Sequence, residues 1–119
     1  MILAHVVDDF VLQPVCLSNL KQKDWWDKNA PDKRYEDDYI AALIIHAISW
    51  TIMILLPGML MYDLSNWLLV SLFIFNFPLH AWIDNLKANK RMLSLCQDQY
   101  IHLIQICLTW AIINLSMAA

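Results

Sequence analysis

The sequence predicts an all-α protein, a four-helix transmembrane bundle with both termini on the outer side. Three observations carry that expectation. Sixty per cent of the 119 residues are hydrophobic and only one is Gly, a composition too apolar for a small soluble domain, which must leave much of its surface in water. Four apolar segments follow one another, at roughly residues 1–20, 39–61, 65–86 and 98–117. All eight Lys and Arg fall in two connections: Lys21, Lys23, Lys28, Lys33 and Arg34 after the first segment, and Lys87, Lys90 and Arg91 after the third. Basic connections stay on the cytoplasmic side of a membrane, which places the opposite helix ends and both termini outside. The length fits one domain, residues 1–119.

Each segment has its own character. In the first, Asp8, Asp9, Gln13 and Pro14 interrupt the apolar run, and a kink or helix end is expected near Pro14. The second, Tyr39 to Tyr62, holds only His46, Ser49 and Thr51 as polar side chains before Pro57-Gly58. At ~1.5 Å per residue it can cross ~30 Å of hydrocarbon. The third, Trp67 to Ile83, is broken in polarity by Ser71, Asn76 and His80. The fourth, Tyr100 to Leu115, carries His102, Gln105 and Thr109. The connection at 21–38 is dense in both charges and reads as a solvated cytoplasmic link. Tyr62 and Trp67 fit the outer interface, and Trp25, Trp26, Tyr39 and Trp82 the inner one. The remaining Trp and Met content reads as lipid-facing or packing material.

Several classes are excluded or disfavoured. A net charge of −3 without a basic stripe argues against nucleic acid as a partner. The cysteines are odd in number and Cys107 lies within an apolar run, so a disulfide framework is not expected and the thiols read as small apolar fillers. The N-terminus lacks the basic flank and small-residue site of a removable signal peptide. A single Gly cannot form the Gly-x3-Gly signal of helix dimers; a homo-oligomer or a membrane partner protein stays open on other grounds.

The polar residues inside the spans are the functional clue. Three of the four histidines lie four residues from an aspartate: His5/Asp9, His80/Asp84 and Asp98/His102. Four residues is about one helical turn, so each pair shares a face. Longer stripes extend these pairs: His5, Asp9 and Gln13; Asn76, His80, Asp84 and Lys87; Asp98, His102, Gln105 and Thr109; and His46 with Ser49. Lipid does not accept such stripes, so the four must face one another inside a bundle, in a cluster open towards the cytoplasm.

Imidazole and carboxylate are the ligand set of zinc and similar divalent ions, and facing helices with pairs one turn apart build metal sites. The expected ligands are His5, Asp9, His46, His80, Asp84, Asp98 and His102, around a divalent metal, zinc being the favoured ion. Asp9, Asp84 and Asp98 are the expected catalytic carboxylates, acting as general base or orienting the histidines. Gln13, Asn76, Lys87 and Gln99 are candidates for substrate contacts. Blander readings compete: one His/Asp pair is more often structural, Lys21 and Lys87 fit snorkelling interface cations, Ser49 and Thr109 fit ordinary hydroxyls, and Asp8 is expected to point away from the face of Asp9.

At these residues the chain resembles the bacterial and phage membrane-protein family catalogued as domain of unknown function 3307. The resemblance rests on His5-x3-Asp9-Phe10-x2-Gln13, Lys21, His46, His80-x3-Asp84-x2-Lys87 and Asp98-Gln99-x2-His102, and covers nearly the whole chain. It implies a small polytopic inner-membrane protein and supplies no activity. The chain is also distantly similar to membrane-bound proteins labelled metal-dependent hydrolases, which share intramembrane His and Asp.

Three functions follow. The first is a metal-dependent hydrolase acting on a membrane-proximal ester or phosphoester. The second is a non-enzymatic ion- or proton-conducting or transporter subunit. The third is a membrane interaction protein with a structural polar core, working through its charged connection.

Overall fold

The computed structural model describes residues 1–13 and 15–118, and among these it contains six α-helices and no strand. Helix α1 (Ile2–Val7) runs into a π-helical turn (Asp8–Leu12), followed by α2 (Val15–Leu20) and α3 (Lys23–Asn29). A 3-10 turn (Lys33–Tyr35) leads to the three long helices α4 (Asp38–Met61), α5 (Asn66–Ala88) and α6 (Leu95–Ala118).

Among the described residues, only α4, α5 and α6 are long and apolar enough to cross a membrane. The expectation of four comparable spanning helices is therefore met in part. The first segment fails as a span because its middle is acidic and its backbone leaves α-helical register there. Gln13 N–H donates to Asp8 O at 2.9 Å, the i→i+5 bond of a π-turn. The expected kink at Pro14 lies outside the described residues.

The long helices owe their length to apolar runs, and the described termini carry local signals. Ser65 caps α5 by accepting the Leu68 N–H at 3.2 Å, the usual role of a serine at a helix start. Pro57 and Pro78 lie inside α4 and α5, where each lacks the backbone N–H that would pair with the carbonyl four residues earlier. Gly58 allows α4 to approach α6, since a Cβ there would sit 3.0 Å from Ile113 Cδ1.

The molecule is inverted relative to a water-soluble bundle. Among the described residues twelve polar or charged side chains are buried, against eleven apolar ones. The outer surface meanwhile exposes Leu3, Phe10, Leu60, Trp67, Ile74, Trp82 and Trp110. Such apolar exteriors are compatible with lipid contact and costly in water. Towards the ends of α4 and α5 that carry no Lys or Arg, Trp50, Ile54, Leu55, Leu72, Ile106 and Ile113 form an apolar core. Towards the basic connections the interior turns polar.

The charged connection has no buried residue between 22 and 38 and is held by contacts of its own. Asn89, just past α5, accepts the Lys23 N–H at 2.7 Å and donates to Lys21 O at 3.0 Å. Trp26 Nε1–H donates to Leu20 O at 2.8 Å, and its ring stacks on Tyr35. On the same connection, Arg34 holds the Asp32 carboxyl below its usual range by side-chain and backbone hydrogen bonds. These contacts fix Lys21 against the end of α5.

Candidate metal centre

The polar stripes of the first segment, α4, α5 and α6 meet in one buried cluster. His5, Asp8, His46, His80, Asp84, Asp98 and His102 are all buried, each at 5% exposure or less. Asp84 stands at the centre. Its Oδ1 lies 3.4 Å from His102 Nε2, while its Oδ2 lies 3.5 Å from His46 Nε2 and 3.8 Å from His80 Nε2. Asp98 Oδ1 is 3.4 Å from His102 Nε2, and Asp9 Oδ1 is 3.5 Å from His46 Nε2.

These separations decide what the cluster can do. They exceed the roughly 2.7–3.2 Å of an N–H···O hydrogen bond. Two ligands ~2.1 Å from one tetrahedral ion lie about 3.4 Å apart. Both ring nitrogens of His80 and of His102 have no hydrogen-bond partner, nor do Asp9 Oδ1 and Asp98 Oδ1. Buried polar atoms are nearly always paired, and orphans ask for an explanation such as an ion. Two overlapping sets, Asp9/His46/His80 and His80/Asp84/His102, each bring three ligand atoms within 4.8 Å of one another. The buried His and Asp groups could hold a metal ion.

The surroundings fix these side chains. Trp50 stacks on the His80 ring at 4.0 Å, and His80 lies 4.2 Å from the His102 ring. Asp8 Oδ2 is 3.7 Å from His46 Nδ1, while Ser49 Oγ donates to Asp8 Oδ1 at 2.6 Å. The 3.7 Å separation is beyond a hydrogen bond, and Asp8 Oδ2 has no partner of its own.

His5 is placed differently from the other three. Trp50 Nε1–H donates to His5 Nδ1 at 2.7 Å, and His5 Nε2 lies 3.1 Å from Gln99 Oε1. One neutral tautomer satisfies both bonds, so both nitrogens are occupied. Gln99 in turn donates to Asp9 Oδ2 at 3.2 Å and to Asp98 Oδ2 at 3.1 Å. It ties the first segment to α6.

Four features depart from the sequence expectations. Asp8 points into the cluster rather than away, because the π-turn brings Asp8 and Asp9 inward together. Lys21 is no snorkelling cation: it is 8% exposed and donates to Asp84 Oδ2 at 2.7 Å. Lys87 likewise donates to Asp98 Oδ2 at 2.6 Å. Trp50, within the expectation of packing material, is fully buried against the His80 ring. Ser49 lies on the His46 face, and its bond to Asp8 has no sequence signal, since the π-turn that creates it leaves none. The three cysteines are exposed rather than filling the interior.

The remaining residues divide between two places. Asn76 is fully buried below the His layer, where its Oδ1 accepts from Gln105 Nε2 and Thr109 Oγ1, both at 3.0 Å. Gln13 and Lys87 line a cleft of about 540 Å³ with Gln99, Asp9 and Asp84. The cleft lies at the end of the bundle carrying the basic connections, and of the clustered carboxylates Asp9 and Asp84 reach its lining.

Helices able to span a membrane and a buried His/Asp cluster define a small helical protein with membrane-protein character and a candidate metal centre. The chain belongs to the family described as a protein of unknown function (DUF3307), which it matches over residues 1–119. Neither the curated proteins nor the solved structures include a match to it.

Proposed function

We propose that this chain is a multi-pass protein of the bacterial cytoplasmic membrane that binds one zinc ion and hydrolyses a membrane-proximal ester or phosphoester. The observation that carries the reading is the set of unpartnered His80 and His102 nitrogens, held against Asp84 and Asp98 at ligand-to-ligand spacing. His80, His102 and Asp84 are the proposed ligands, which leaves a fourth position open, with His46 beside Asp84 and Asp98 beside His102 bordering the set. His5 is left out, because both its nitrogens are in use.

Charge supports a bound ion. Ligating imidazoles are neutral, so the carboxylates of Asp9, Asp84 and Asp98 outnumber the ammonium groups of Lys21 and Lys87, and a divalent cation would offset the excess. Burying that excess uncompensated would cost several kcal/mol.

A divalent ion with an open coordination position makes a water acidic near neutral pH. Asp9 borders both cluster and cleft and has a free oxygen, which suits it to take that proton as the water oxygen adds to the ester carbon or phosphorus. The bond to the leaving oxygen then breaks, and the proton on Asp9 passes to that oxygen. The distribution of Lys and Arg supports a cleft on the cytoplasmic side and both termini outside.

An ion or proton path is favoured by one observation, the polar thread that continues below the histidines through Asn76, Gln105 and Thr109. One turn further along the same helices it meets buried Leu72 and Ile113, which argues for a dead end. Hydrolysis of a chromogenic phosphodiester by zinc-loaded protein in detergent tests the enzyme reading. Asp9→Asn should abolish turnover and retain zinc. Turnover unchanged in that variant would remove Asp9 as base, and no turnover of any ester by zinc-loaded wild type would remove the hydrolase.

A further inference from the structure

The cleft beside the cluster is lined by three cations, the carboxylates of Asp9 and Asp84, and exposed apolar side chains. Its volume of about 540 Å³ falls in the range of small-molecule sites. Three cations reach it from three places: Lys21 beyond α2, Lys87 in the last turn of α5, and Arg91 in the connection to α6. Gln13 and Gln99 add amide groups.

Arg91 carries a signal of its own. It has φ 53°, the one positive φ at a non-glycine residue among those described. Helices commonly end through a residue in this left-handed conformation, and that residue is usually Gly because a Cβ is disfavoured there. An arginine at the position accepts backbone strain and gains a guanidinium at the mouth of the cleft, where it also reaches Asp24. Strain of this kind concentrates at functional sites.

Lys21 and Lys87 each rest on a carboxylate of the cluster, Asp84 and Asp98. A divalent ion drawing on those same carboxylates would leave both ammonium groups with less counter-charge and facing the cleft. Anion binding and metal binding would then favour each other, as any two coupled sites must reciprocally.

The rest of the lining is apolar and open to the outside. Phe10, Val15 and Leu95 are 60%, 80% and 56% exposed. Phe10 and Val15 belong to the first segment, and Leu95 begins α6. The first segment packs mainly on α4 and is tied to α6 through Gln99, which leaves these exposed apolar side chains along one side of the cleft.

We propose that the cleft binds the phosphate-bearing head of an amphiphile, with Arg91, Lys87 and Lys21 on the phosphate and the hydrocarbon leaving past Phe10 and Leu95. This names the substrate class of the hydrolase reading and rests on it for the chemistry, though not for the binding.

The test uses purified protein in a neutral detergent, with zinc content measured on every sample. Three probes are titrated: inorganic phosphate, a short-chain phosphatidic acid, and the matching diacylglycerol. Phosphatidic acid should bind at least tenfold tighter than inorganic phosphate, and diacylglycerol should not compete. Zinc should tighten the binding of phosphatidic acid. Arg91→Gly should raise the melting temperature yet weaken phosphatidic acid at least tenfold at unchanged zinc content, and Phe10→Ser should weaken phosphatidic acid while sparing inorganic phosphate.

Equal affinity for phosphatidic acid and inorganic phosphate would overturn the amphiphile. Unchanged binding in Arg91→Gly would overturn the cleft as its site. Zinc-bearing protein that binds neither phosphate probe would sink this inference alone. Protein without zinc that still binds phosphatidic acid through Arg91 would sustain it and remove the metal-hydrolase reading.

Discussion

His102 Nε2 faces Asp84 Oδ1 at 3.4 Å across the meeting point of α5 and α6, with neither of its ring nitrogens hydrogen-bonded. A hydrogen-bonded pair would close that gap, and an ion between them would keep it. His102→Ala removes one ligand and Asp84→Asn removes charge at nearly constant shape. Each is expected to lower zinc affinity at least tenfold, read by competition with a chelating dye. Unchanged affinity in both would place the ion elsewhere.

Lys21 and Asp84 form a buried ion pair at 2.7 Å, and removing one partner of such a pair strands the other charge. Lys21→Met should therefore destabilise the metal-free protein by about 3 kcal/mol, measured by thermal unfolding in detergent. Zinc should recover part of that loss by neutralising Asp84. A variant as stable as wild type without metal would mean that Asp84 is not charged there.

The Asn76 network is expected to be structural. Asn76→Leu removes the Oδ1 acceptor shared by Gln105 and Thr109, which keep the backbone acceptors Asn76 O and Gln105 O, so a loss of about 1 kcal/mol is expected. Zinc content should not change. Loss of zinc at full stability would move Asn76 into the metal centre.

How much of this could be read in the chain follows from what each signal depends on. The His/Asp pairs on α5 and α6 are legible because straight helices keep residues four apart on one face, and buried His80, Asp84, Asp98 and His102 follow that rule. The first segment obeys a different geometry. Its π-turn has no composition signal beyond two adjacent acids, so Asp8 could not be placed from a regular helical wheel. Lys21 was hidden for another reason. A lysine at a helix end looks like an interface cation, and only Asn89, sixty-eight positions away, fixes it over Asp84. Asn76 shared a stripe with His80, yet one turn of depth separates a cleft residue from a core residue, and a stripe carries no depth.

Orientation can be tested with the native thiols. Cys96 is exposed near the start of α6, beside the second basic connection. A membrane-impermeant maleimide added to intact cells should leave Cys96 unlabelled and label it after permeabilisation. Labelling in intact cells would invert the proposed topology.

Metal analysis of detergent-purified protein bears most directly on the buried cluster. The expected result is about one zinc per chain, lost in His80→Ala and in Asp84→Ala variants that still extract as folded protein, and retained in Asn76→Leu. Folded wild-type protein that takes up no divalent ion at micromolar concentrations would contradict the account, because the four ring nitrogens of His80 and His102 would then stay buried without a partner.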